Sequence, residues 1–405
     1  MPRPRTWGAL LALVLLGSAG AGAAFQLRRP LPTPRLRSQL GPTQRVAGQP
    51  PQLTWPSAGE ASLYLDGYGW LGSSPEQGPV PIASVTKMMT ALVVLRAHPL
   101  AAGAPGPDLA VGAQDQLTYQ QELAAGDSVV PVAAGQPITE EQALQGLLVA
   151  SGDNLALLLA DWVSGSEPDF VGRMNQLARR LGLEQTHFAD SSGLDPGSSS
   201  SARDLITLAR AALELPAFAA VVRLPSESLP LGGVRANYNP ILGQDGVVGV
   251  KTGWTSAALG CLVFAARVGV AGRPATLVGA VLGQPGGPSS GLAAAGTVAL
   301  ALLAQAEAHL TLVRVPGAGS RVGRMAVPWH RALGVLVGQP LRLVVPGGAI
   351  LALRLRFRPG PAPWGRDQSL GQLQLRSGAM VLGERRLQLG RRVAGPSWEW
   401  RLLHF

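Results

Sequence analysis

Apolar residues recur at intervals of three and four along the middle of the chain, the spacing of one buried helix face. Val85, Met88, Met89, Leu92 and Val93 carry the first of these stripes. Further stripes lie at Ala143, Leu144, Leu147 and Leu148, at Leu155, Leu158, Leu159 and Trp162, at Phe170, Met174, Leu177 and Leu181, and at Leu205, Leu208, Ala209 and Ala212. The pattern predicts a series of helices packed on a common core.

Helix-end signals accompany several stripes. Thr139 with Gln142 forms a capping box before the second stripe. Gly182 follows the fourth stripe at the position where glycine commonly ends a helix, and Ser201 precedes the fifth as an N-cap. These signals set the predicted helix boundaries.

Strand-like segments flank the helical region on both sides. Residues 61–65 lead to a turn at Asp66-Gly67, and apolar runs return at 249–252, 261–265 and 276–282 before an alanine-rich helix near 291–309. A sheet built from both ends of a domain, with helices between them, predicts an α+β fold with an antiparallel sheet. We place this domain at residues 61–307.

The pattern changes to period two in the last hundred residues. Leu351, Leu353 and Leu355 alternate with polar positions that include Arg354 and Arg356. Such alternation is typical of a half-buried strand with a basic outer face. Residues 308–405 therefore predict a separate, small β domain.

The first 60 residues have a different character. Arg3 and Arg5 precede an apolar run from Trp7 to Leu16, and small residues follow it. This order indicates a signal peptide at residues 1–24, with an uncleaved N-terminal anchor as the alternative, and predicts an exported protein. Residues 25–60 are rich in proline and arginine, which indicates an extended linker.

The predicted domains also differ in net charge. Residues 60–309 contain 12 basic and 21 acidic residues, whereas residues 310–405 contain 15 arginines and three acids. A basic end suits an anionic membrane or wall-polymer surface, and a solvated arginine face explains it equally well. No nucleic-acid motif accompanies the charge, so no nucleic-acid partner is expected.

The cysteine and histidine residues indicate neither a disulfide nor a metal site. Cys261 is the single cysteine, so no internal disulfide can form, and its apolar surroundings favour a small buried residue. The five histidines are scattered without metal-ligand spacing. We therefore expect neither a metal site nor a cofactor.

Lysine occurs only twice, at Lys87 and Lys251, among 32 arginines. Unlike arginine, a buried lysine can lose its proton and act as a base. Ser84 lies three residues before Lys87 at the start of a predicted helix, so the two side chains share one face. A serine needs such a base to become a nucleophile. The alternative is that an arginine-rich chain contains two lysines by chance, without a catalytic role for either.

Two further segments carry polar side chains suited to catalysis. Ser151-Gly152-Asp153-Asn154 lies between two helical runs, where an ordinary interhelix turn with its N-cap is the simpler interpretation. Lys251-Thr252-Gly253 ends a predicted strand, whose edge can pair with an extended peptide. A strand end with a turn glycine is the structural alternative there.

The three segments, in this order, resemble the SxxK, SxN and KTG motifs of the penicillin-recognising serine enzymes. Within this group, residues 61–307 most resemble the D-alanyl-D-alanine carboxypeptidases, which are the low-molecular-mass penicillin-binding proteins. The other matching segments are residues 81–91, 170–175, 186–188, 193–195 and 202–205. The resemblance implies a β-lactamase/transpeptidase-like catalytic domain that acts on peptidoglycan stem peptides and is acylated by β-lactams. A weaker likeness links the last hundred residues to the small β-sandwich domain that follows the catalytic domain in some of these enzymes.

The resemblance also implies roles for individual residues. Ser84 would attack the penultimate D-alanine carbonyl, Lys87 would be the base, and Ser151 would pass a proton to the leaving D-alanine. Lys251 and Thr252 would hold the terminal carboxylate. On this assignment Lys87 loses its proton and Lys251 keeps its charge, so Lys87→Arg is expected to abolish acylation and Lys251→Arg to retain some.

The backbone N–H groups of Ser84 and Trp254 would form the oxyanion hole. Trp254 departs from the histidine or small polar residue that usually follows KTG, and its bulk is expected to narrow the accepted stem peptide.

The middle motif departs from the family pattern as well. Its third residue is usually asparagine, whereas here it is Asp153, followed by Asn154. An ionised Asp153 cannot donate to a substrate carbonyl, and it would hold a neighbouring Lys87 in its charged form. Either Asp153 is tolerated in the site, which we favour, or a local shift presents Asn154, or the enzyme is weak.

Two other functions compete with this one. A catalytically impaired penicillin- or peptidoglycan-binding wall protein would have Asp153 as its lesion. A class A-like β-lactamase would need a deacylating glutamate in a Glu-x-x-Leu-Asn loop, and residues 183–188 lack that pattern.

Overall fold

A computed structural model describes residues 4–315 and 319–404 of the chain. The chain folds into two compact units. The central unit comprises residues 48–312 and 344–347, and the arginine-rich unit comprises residues 1–47, 313–343 and 348–405.

Ten helices lie in the described residues: α1 (Pro4–Arg28), α2 (Lys87–Ala97), α3 (Ala113–Ala125), α4 (Glu140–Leu148), α5 (Asp153–Ser164), α6 (Glu167–Leu181), α7 (Ala202–Leu213), α8 (Pro216–Val221), α9 (Pro288–Glu307) and α10 (Trp398–Leu403). Two 3₁₀ turns, Ala83–Thr86 and Gln244–Gly246, accompany them.

The described strands are β1 (Arg35–Ser38), β2 (Thr43–Arg45), β3 (Glu60–Leu65), β4 (Gly69–Ser73), β5 (Val80–Pro81), β6 (Asp108–Leu109), β7 (Ile138–Thr139), β8 (Ser199–Ser200), β9 (Ser226–Leu229), β10 (Gly233–Ala236), β11 (Val247–Thr255), β12 (Leu259–Val270), β13 (Arg273–Gln284), β14 (Leu310–Val315), β15 (Arg321–Val327), β16 (His330–Val337), β17 (Leu341–Pro346), β18 (Ile350–Phe357), β19 (Gly371–Ser377) and β20 (Met380–Leu389).

The central unit is built on a five-stranded antiparallel sheet in the order β11-β12-β13-β3-β4. Strand β3, from the start of the unit, pairs with β13 from its end, as in Leu63 opposite Gly279. The predicted α+β architecture with an antiparallel sheet is therefore confirmed. Shorter ribbons join β5 to β8, β6 to β7 and β9 to β10.

Both faces of the sheet are buried, because successive residues of one strand enter different cores. In β12, Cys261 and Val263 face the core shared with helices α2 and α4–α8, whereas Leu262 and Phe264 face the core shared with α9. Gly279 makes room for Phe264, since a Cβ there would lie 2.2 Å from the ring. Continuous apolar runs, not alternation, are the sequence signature of such strands.

Helix α2 lies at the centre of the helical layer, with nine of its eleven residues buried. Its position matters because it begins at Lys87 and follows directly on the turn that carries Ser84. The predicted stripes correspond to α2 and α4–α7. Helix α3 was not predicted, because none of its residues is buried and its sequence therefore shows no apolar stripe.

The arginine-rich unit contains a seven-stranded sheet in the order β1-β15-β16-β20-β19-β18-β2. Its core holds Trp364, Leu373 and Leu387 among other apolar side chains. In β18 the arginines at 354 and 356 are exposed, as the alternation predicted. Strands β14 and β17 pair separately with each other.

One prediction about the N-terminal region requires correction. Residues 25–60 were expected to be a linker, yet β1 pairs with β15 and β2 pairs with β18 at the two edges of the sheet. The segment is extended, as its prolines suggest, but its backbone hydrogen bonds go to strands some 300 residues away. Leu36 and Leu40 pack against the core of this unit.

Helix α1 extends beyond the apolar run from which the signal was predicted. Residues 7–28 are long and apolar enough to span a membrane, and none of the qualifying window is buried. Arg3, part of the predicted basic start, lies outside the described residues. Among the described helices α9 also passes this test, but it packs on the sheet of the central unit.

Candidate active site

Ser84 lies in the 3₁₀ turn immediately before α2. The turn is held in an unusual shape, because Ala83 adopts a left-handed φ of 48°. Gly193, at φ 89°, lies so close that a Cβ there would approach the Ala83 carbonyl oxygen to 1.9 Å. A glycine at 193 is therefore required for the turn that presents the serine.

Lys87 begins α2, and its side chain is fully buried. Its Nζ contacts three oxygens: Ser84 Oγ at 2.8 Å, Asp153 Oδ1 at 2.5 Å and the carbonyl of Ser192 at 2.9 Å. Three acceptors around one nitrogen satisfy all three donors of an ammonium group. The ion pair with Asp153 favours that charged form.

Asp153, the first residue of α5, is also buried, with 2% of its side chain exposed. Its second oxygen accepts from the N–H of Ser128 at 3.1 Å, and its own N–H donates to the Ser128 carbonyl at 2.7 Å. Both carboxylate oxygens are therefore engaged. The loop around Ser128 is fastened to the site by this residue.

Asn154 points elsewhere. Its amide Oδ1 accepts from the N–H of Val130 at 2.9 Å, and its Nδ2 donates to the Val130 carbonyl at 2.8 Å. This reciprocal pair pins the side chain against the backbone outside the cleft. Of the two arrangements considered from the sequence, the structure has Asp153, not Asn154, beside Lys87.

Lys251 lies in β11 and is 2% exposed. Its Nζ donates to Ser151 Oγ at 2.9 Å and to the carbonyl of Thr252 at 3.0 Å. No carboxylate pairs with Lys251 in the described parts of the chain. Burial lowers the pKa of Lys251 well below its ordinary value, the charge of Lys87 lowers it further, and Asp153 offsets part of the effect.

Ser151 links this lysine to the cleft. It adopts a left-handed φ of 61°, a conformation uncommon for a residue with a side chain. Such strain is often retained at functional sites, where it aims a side chain. Here Ser151 Oγ accepts from Lys251, 100 residues further along the chain.

Gly253 brings the β11 edge against the nucleophile turn. A Cβ at this position would lie 2.8 Å from the Ile82 carbonyl oxygen and 3.0 Å from the Ser84 nitrogen. The close approach places the backbone preceding Trp254 beside the Ser84 N–H. The Trp254 ring is turned aside, because its Nε1 donates to the Gly286 carbonyl at 2.9 Å.

These elements enclose a cleft of about 470 Å³. Its lining residues are Ser84, Gly126, Asp127, Ser128, Ser151, Asp153, Leu194, Tyr238, Thr252, Gly253, Trp254, Thr255, Ser256, Pro288, Ser289 and Leu292. The structure thus brings together every predicted site residue except Asn154, with Lys87 and Lys251 buried behind the lining. The edge of β11 and the loop 126–128 lie among its walls.

Sequence reasoning missed several residues of the site. The loop 126–128, which contributes Asp127 and Ser128, carries no motif and follows the unpredicted helix α3. Tyr238 lies in an irregular segment after β10. Ser192 contributes only a backbone carbonyl, which no side-chain pattern can reveal. The neighbouring glycine at 193 was the only available signal.

A further carboxyl group lies near Lys87 and Asp153. Burial raises the pKa of Glu122 to about 7, and the charges of Asp153 and Asp127 contribute, while Lys87 opposes the shift. Its Oε2 is buried without a hydrogen-bond partner in the described residues. Cys261, in contrast, is inert, since burial raises its pKa to about 12.

Comparison with known proteins gives a consistent result. The family model for D-alanyl-D-alanine carboxypeptidase matches residues 71–285. D-alanyl-D-alanine carboxypeptidase DacD of Escherichia coli is 30% identical over 305 residues, covering 72% of this chain and 75% of the relative. DacB2 of Mycobacterium tuberculosis is 39% identical over 147 residues, covering 35% and 50%.

Among solved structures, penicillin binding protein 6B from Escherichia coli is similar with a TM-score of 0.62 and 26% identity. The match covers 87% of this chain and 99% of that one.

Proposed function

Because the chain belongs to the D-alanyl-D-alanine carboxypeptidase family, we propose that it removes the terminal D-alanine from peptidoglycan stem peptides through a Ser84 acyl-enzyme. One observation carries this proposal. Ser84 Oγ lies 2.8 Å from the buried Lys87 Nζ at a cleft that also exposes Ser151 and the edge of β11.

The reaction has two steps. Ser84 Oγ forms a bond to the penultimate D-alanine carbonyl carbon, the peptide C–N bond breaks, and the terminal D-alanine leaves as an amine that has gained a proton. The hydroxyl of a water molecule then bonds to the acyl carbon, the ester C–O bond breaks, and the other proton of the water goes to Ser84 Oγ, which releases the shortened peptide as a carboxylic acid. The N–H groups of Ser84 and Trp254 stabilise the oxyanion in both steps.

The proton of Ser84 needs an acceptor, and the surroundings of the two lysines favour Lys251. Lys87 has a carboxylate at 2.5 Å, which holds it as an ammonium ion. Lys251 has none, and its pKa is lowered by burial and by Lys87. We therefore assign the neutral amine to Lys251, reached through Ser151, and reverse the assignment made from the sequence.

Substrate binding strengthens this acceptor. The terminal carboxylate of the peptide, held at Lys251 and Thr252, favours the ammonium form of Lys251. Lys251 therefore takes up a proton more readily when the carboxylate is present. The arrangement links nucleophile activation to the feature that distinguishes a C-terminal D-alanine from an internal residue.

Lys87 then acts as a fixed positive charge. Its hydrogen bond to Ser84 Oγ stabilises the alkoxide that develops as the proton leaves. Asp153 keeps this charge in place, so an aspartate in the middle motif is consistent with activity in this chain.

For location, we propose export to the cell envelope, with α1 as the tether. The arginine-rich unit would face an anionic envelope surface, because Arg37 lies directly opposite Arg324 in the sheet and neither pairs with an acid among the described residues. Like charges in register are unfavourable unless an anion lies near them. Loss of envelope binding when the salt concentration is raised from about 0.05 M to about 0.5 M is the expected sign of such contact.

The test of the activity combines labelling with turnover. Purified protein should bind a fluorescent penicillin covalently, Ser84→Ala should not, and a D-Ala-D-Ala peptide should release free D-alanine. Labelling without release would indicate the impaired wall-binding protein instead. Rapid loss of the label by hydrolysis would indicate a β-lactamase.

A further inference from the structure

A second cavity of the central unit lies apart from the cleft. It has a volume of about 210 Å³ and lies between the end of α7, helix α8 with the turn that follows it, and strands β11–β13. Val248 lines this cavity and Gly253 lines the cleft, and the two are roughly 15 Å apart along β11 at the usual rise of a strand. No described residue lines both cavities, and the proposed reaction uses none of the residues around the second one.

Three arginines converge on this cavity: Arg210, Arg223 and Arg267. They come from three separate elements, which are α7, the turn after α8, and β12. This concentration of positive charge is unusual, because residues 60–309 contain only 12 basic residues against 21 acidic ones. A quarter of these basic residues therefore lines one small cavity of an otherwise acidic unit.

Arg210 is held in place in the wall of the cavity. Its Cζ lies 4.0 Å from the centre of the Tyr64 ring, and its Nη2 lies 3.3 Å from Asp66 Oδ1. Stacking on an aromatic ring orients the guanidinium plane. The Nε of Arg210 is buried and has no hydrogen-bond partner in the described residues. Because a buried donor without an acceptor is unfavourable, an oxygen supplied by a ligand would stabilise this arrangement.

Arg223 and Arg267 carry unpaired charges. Both are exposed, and neither forms an ion pair in the described parts of the chain. Two acids also line the cavity. Asp66 is 57% exposed and pairs with Arg210, whereas Glu214 is exposed and pairs with none of the three arginines among the described residues. Two guanidinium groups therefore remain available to an anionic ligand.

The number and the chemistry of the donors indicate the class of ligand. Arginine presents a planar fork of N–H groups that matches the oxygens of a phosphate or a carboxylate. A carboxylate has two oxygens and is matched by one fork, whereas a phosphate group has more acceptor oxygens and can bind two forks together. Leu213, Val248 and Val278 form apolar parts of the wall, which suit a short carbon stem attached to the phosphate.

We propose that this cavity is a binding site for a phosphate or phosphomonoester group. Arg223 and Arg267 bind the phosphate oxygens, and Arg210 supplies a third guanidinium group that Tyr64 already orients. The site differs from the cleft in position and in ligand, so it does not depend on the proposed peptidase activity. A bound phosphate links the turn after α8 to β12 and should stabilise the folded central unit.

Calorimetry of the full chain with inorganic phosphate and with glycerol 1-phosphate tests the site, at about pH 8, where a phosphomonoester carries close to two negative charges. The wild type should bind with a Kd on the order of 1 mM. Arg223→Gln and Arg267→Gln should each raise the Kd about tenfold, as expected for a lost charge-assisted hydrogen bond. Arg173→Gln removes the same charge from an exposed position of α6, outside the cavity, and should leave the Kd unchanged.

The two ligands distinguish the possible sources of the phosphate. Equal Kd values would identify the free ion as sufficient, and tighter binding of glycerol 1-phosphate would show that the carbon stem enters the cavity, as the end group of a lipid or polymer would. Acetate, a monoanion with two oxygens, should bind at least about tenfold more weakly than phosphate. Acetate that binds as tightly as phosphate would overturn the assignment of the ligand.

Ala219→Leu separates the cavity from the charge. Ala219 lines the cavity, so the larger side chain fills part of it and leaves all three arginines in place. This variant should also raise the Kd about tenfold, with circular dichroism as the check of the fold. Phosphate binding that persists unchanged in Ala219→Leu and in both cavity arginine variants would come from arginines elsewhere and would contradict the inference. An absence of saturable binding by the wild type would contradict it as well.

Discussion

Two buried lysines lie close enough for each to influence the other, yet their surroundings differ in one respect. Lys87 has a carboxylate partner at 2.5 Å, and Lys251 has a hydroxyl and a carbonyl. Burial lowers the pKa of Lys251, and Asp153, which pairs directly with Lys87, offsets only part of that effect. The pair therefore consists of one lysine in an ion pair and one lysine whose pKa is depressed.

The position of a lysine in a family motif therefore does not determine whether its side chain is protonated. Both lysines belong to motifs of the same family, and the sequence alone suggested that Lys87 was the base. In our proposal, the residue that reverses this assignment is Asp153, which replaces the usual asparagine.

Exchange of each lysine for arginine gives the largest difference. Because arginine stays protonated, Lys251→Arg should slow acylation by about 10³-fold, the scale of a lost general base. Lys87→Arg keeps a cation beside Asp153 and should lose only about tenfold. The rate of labelling by a fluorescent penicillin measures both, and circular dichroism checks the fold. A larger loss in Lys87→Arg would restore the assignment made from the sequence.

Ser151→Ala should reduce acylation by about 100-fold, since it removes the hydroxyl between Lys251 and the cleft. Peptide binding should change much less, because Lys251 and Thr252 remain. Single-turnover kinetics separate the two quantities. If the variant acylates at the wild-type rate, the proton does not pass through Ser151.

Asp153→Asn should shift the pH dependence of acylation. The acylation rate rises with pH as Lys251 loses its proton. Because Asp153 raises the Lys251 pKa, removing the charge of Asp153 should move this rise to lower pH. Lys87→Gln removes a charge of opposite sign and should move it to higher pH. A rise that stays in place in both variants would show that Lys251 is not the titrating group.

Asp153→Asn should also destabilise the central unit. An unpaired Lys87 would remain in a fully buried position, which costs about 3 kcal/mol. Urea unfolding near neutral pH measures this loss. A variant as stable as the wild type would mean that Lys87 is neutral once Asp153 is removed.

Glu122→Gln gives the smallest effect. The folded-state pKa of Glu122 is about 7, above its ordinary value of 4.5, so its stabilising contribution is complete below pH 4.5 and is lost as the pH rises through about 7. The wild type should therefore lose about 1 kcal/mol of stability across this range that the variant does not lose. Parallel urea titrations at about pH 4 and about pH 8 make the comparison. Identical pH profiles would remove Glu122 from the electrostatics of the site.

Much of this protein follows from local sequence. The three-residue spacing of Ser84 and Lys87 places their side chains on one face of a helical turn. The apolar stripes predict α2 and α4–α7, because a helix that buries one face repeats that face in its sequence. Continuous apolar runs marked the strands that are buried on both sides.

Tertiary structure decided what depends on partners far along the chain. Helix α3 buries no residue and leaves no stripe, and β1 and β2 take their hydrogen bonds from strands near the other end of the sequence. The contact between Lys87 and Asp153 spans 66 residues, and that between Lys251 and Ser151 spans 100. The sequence names the two lysines, but a lysine's charge depends on burial and on the groups that surround it, and both exist only once the chain has folded.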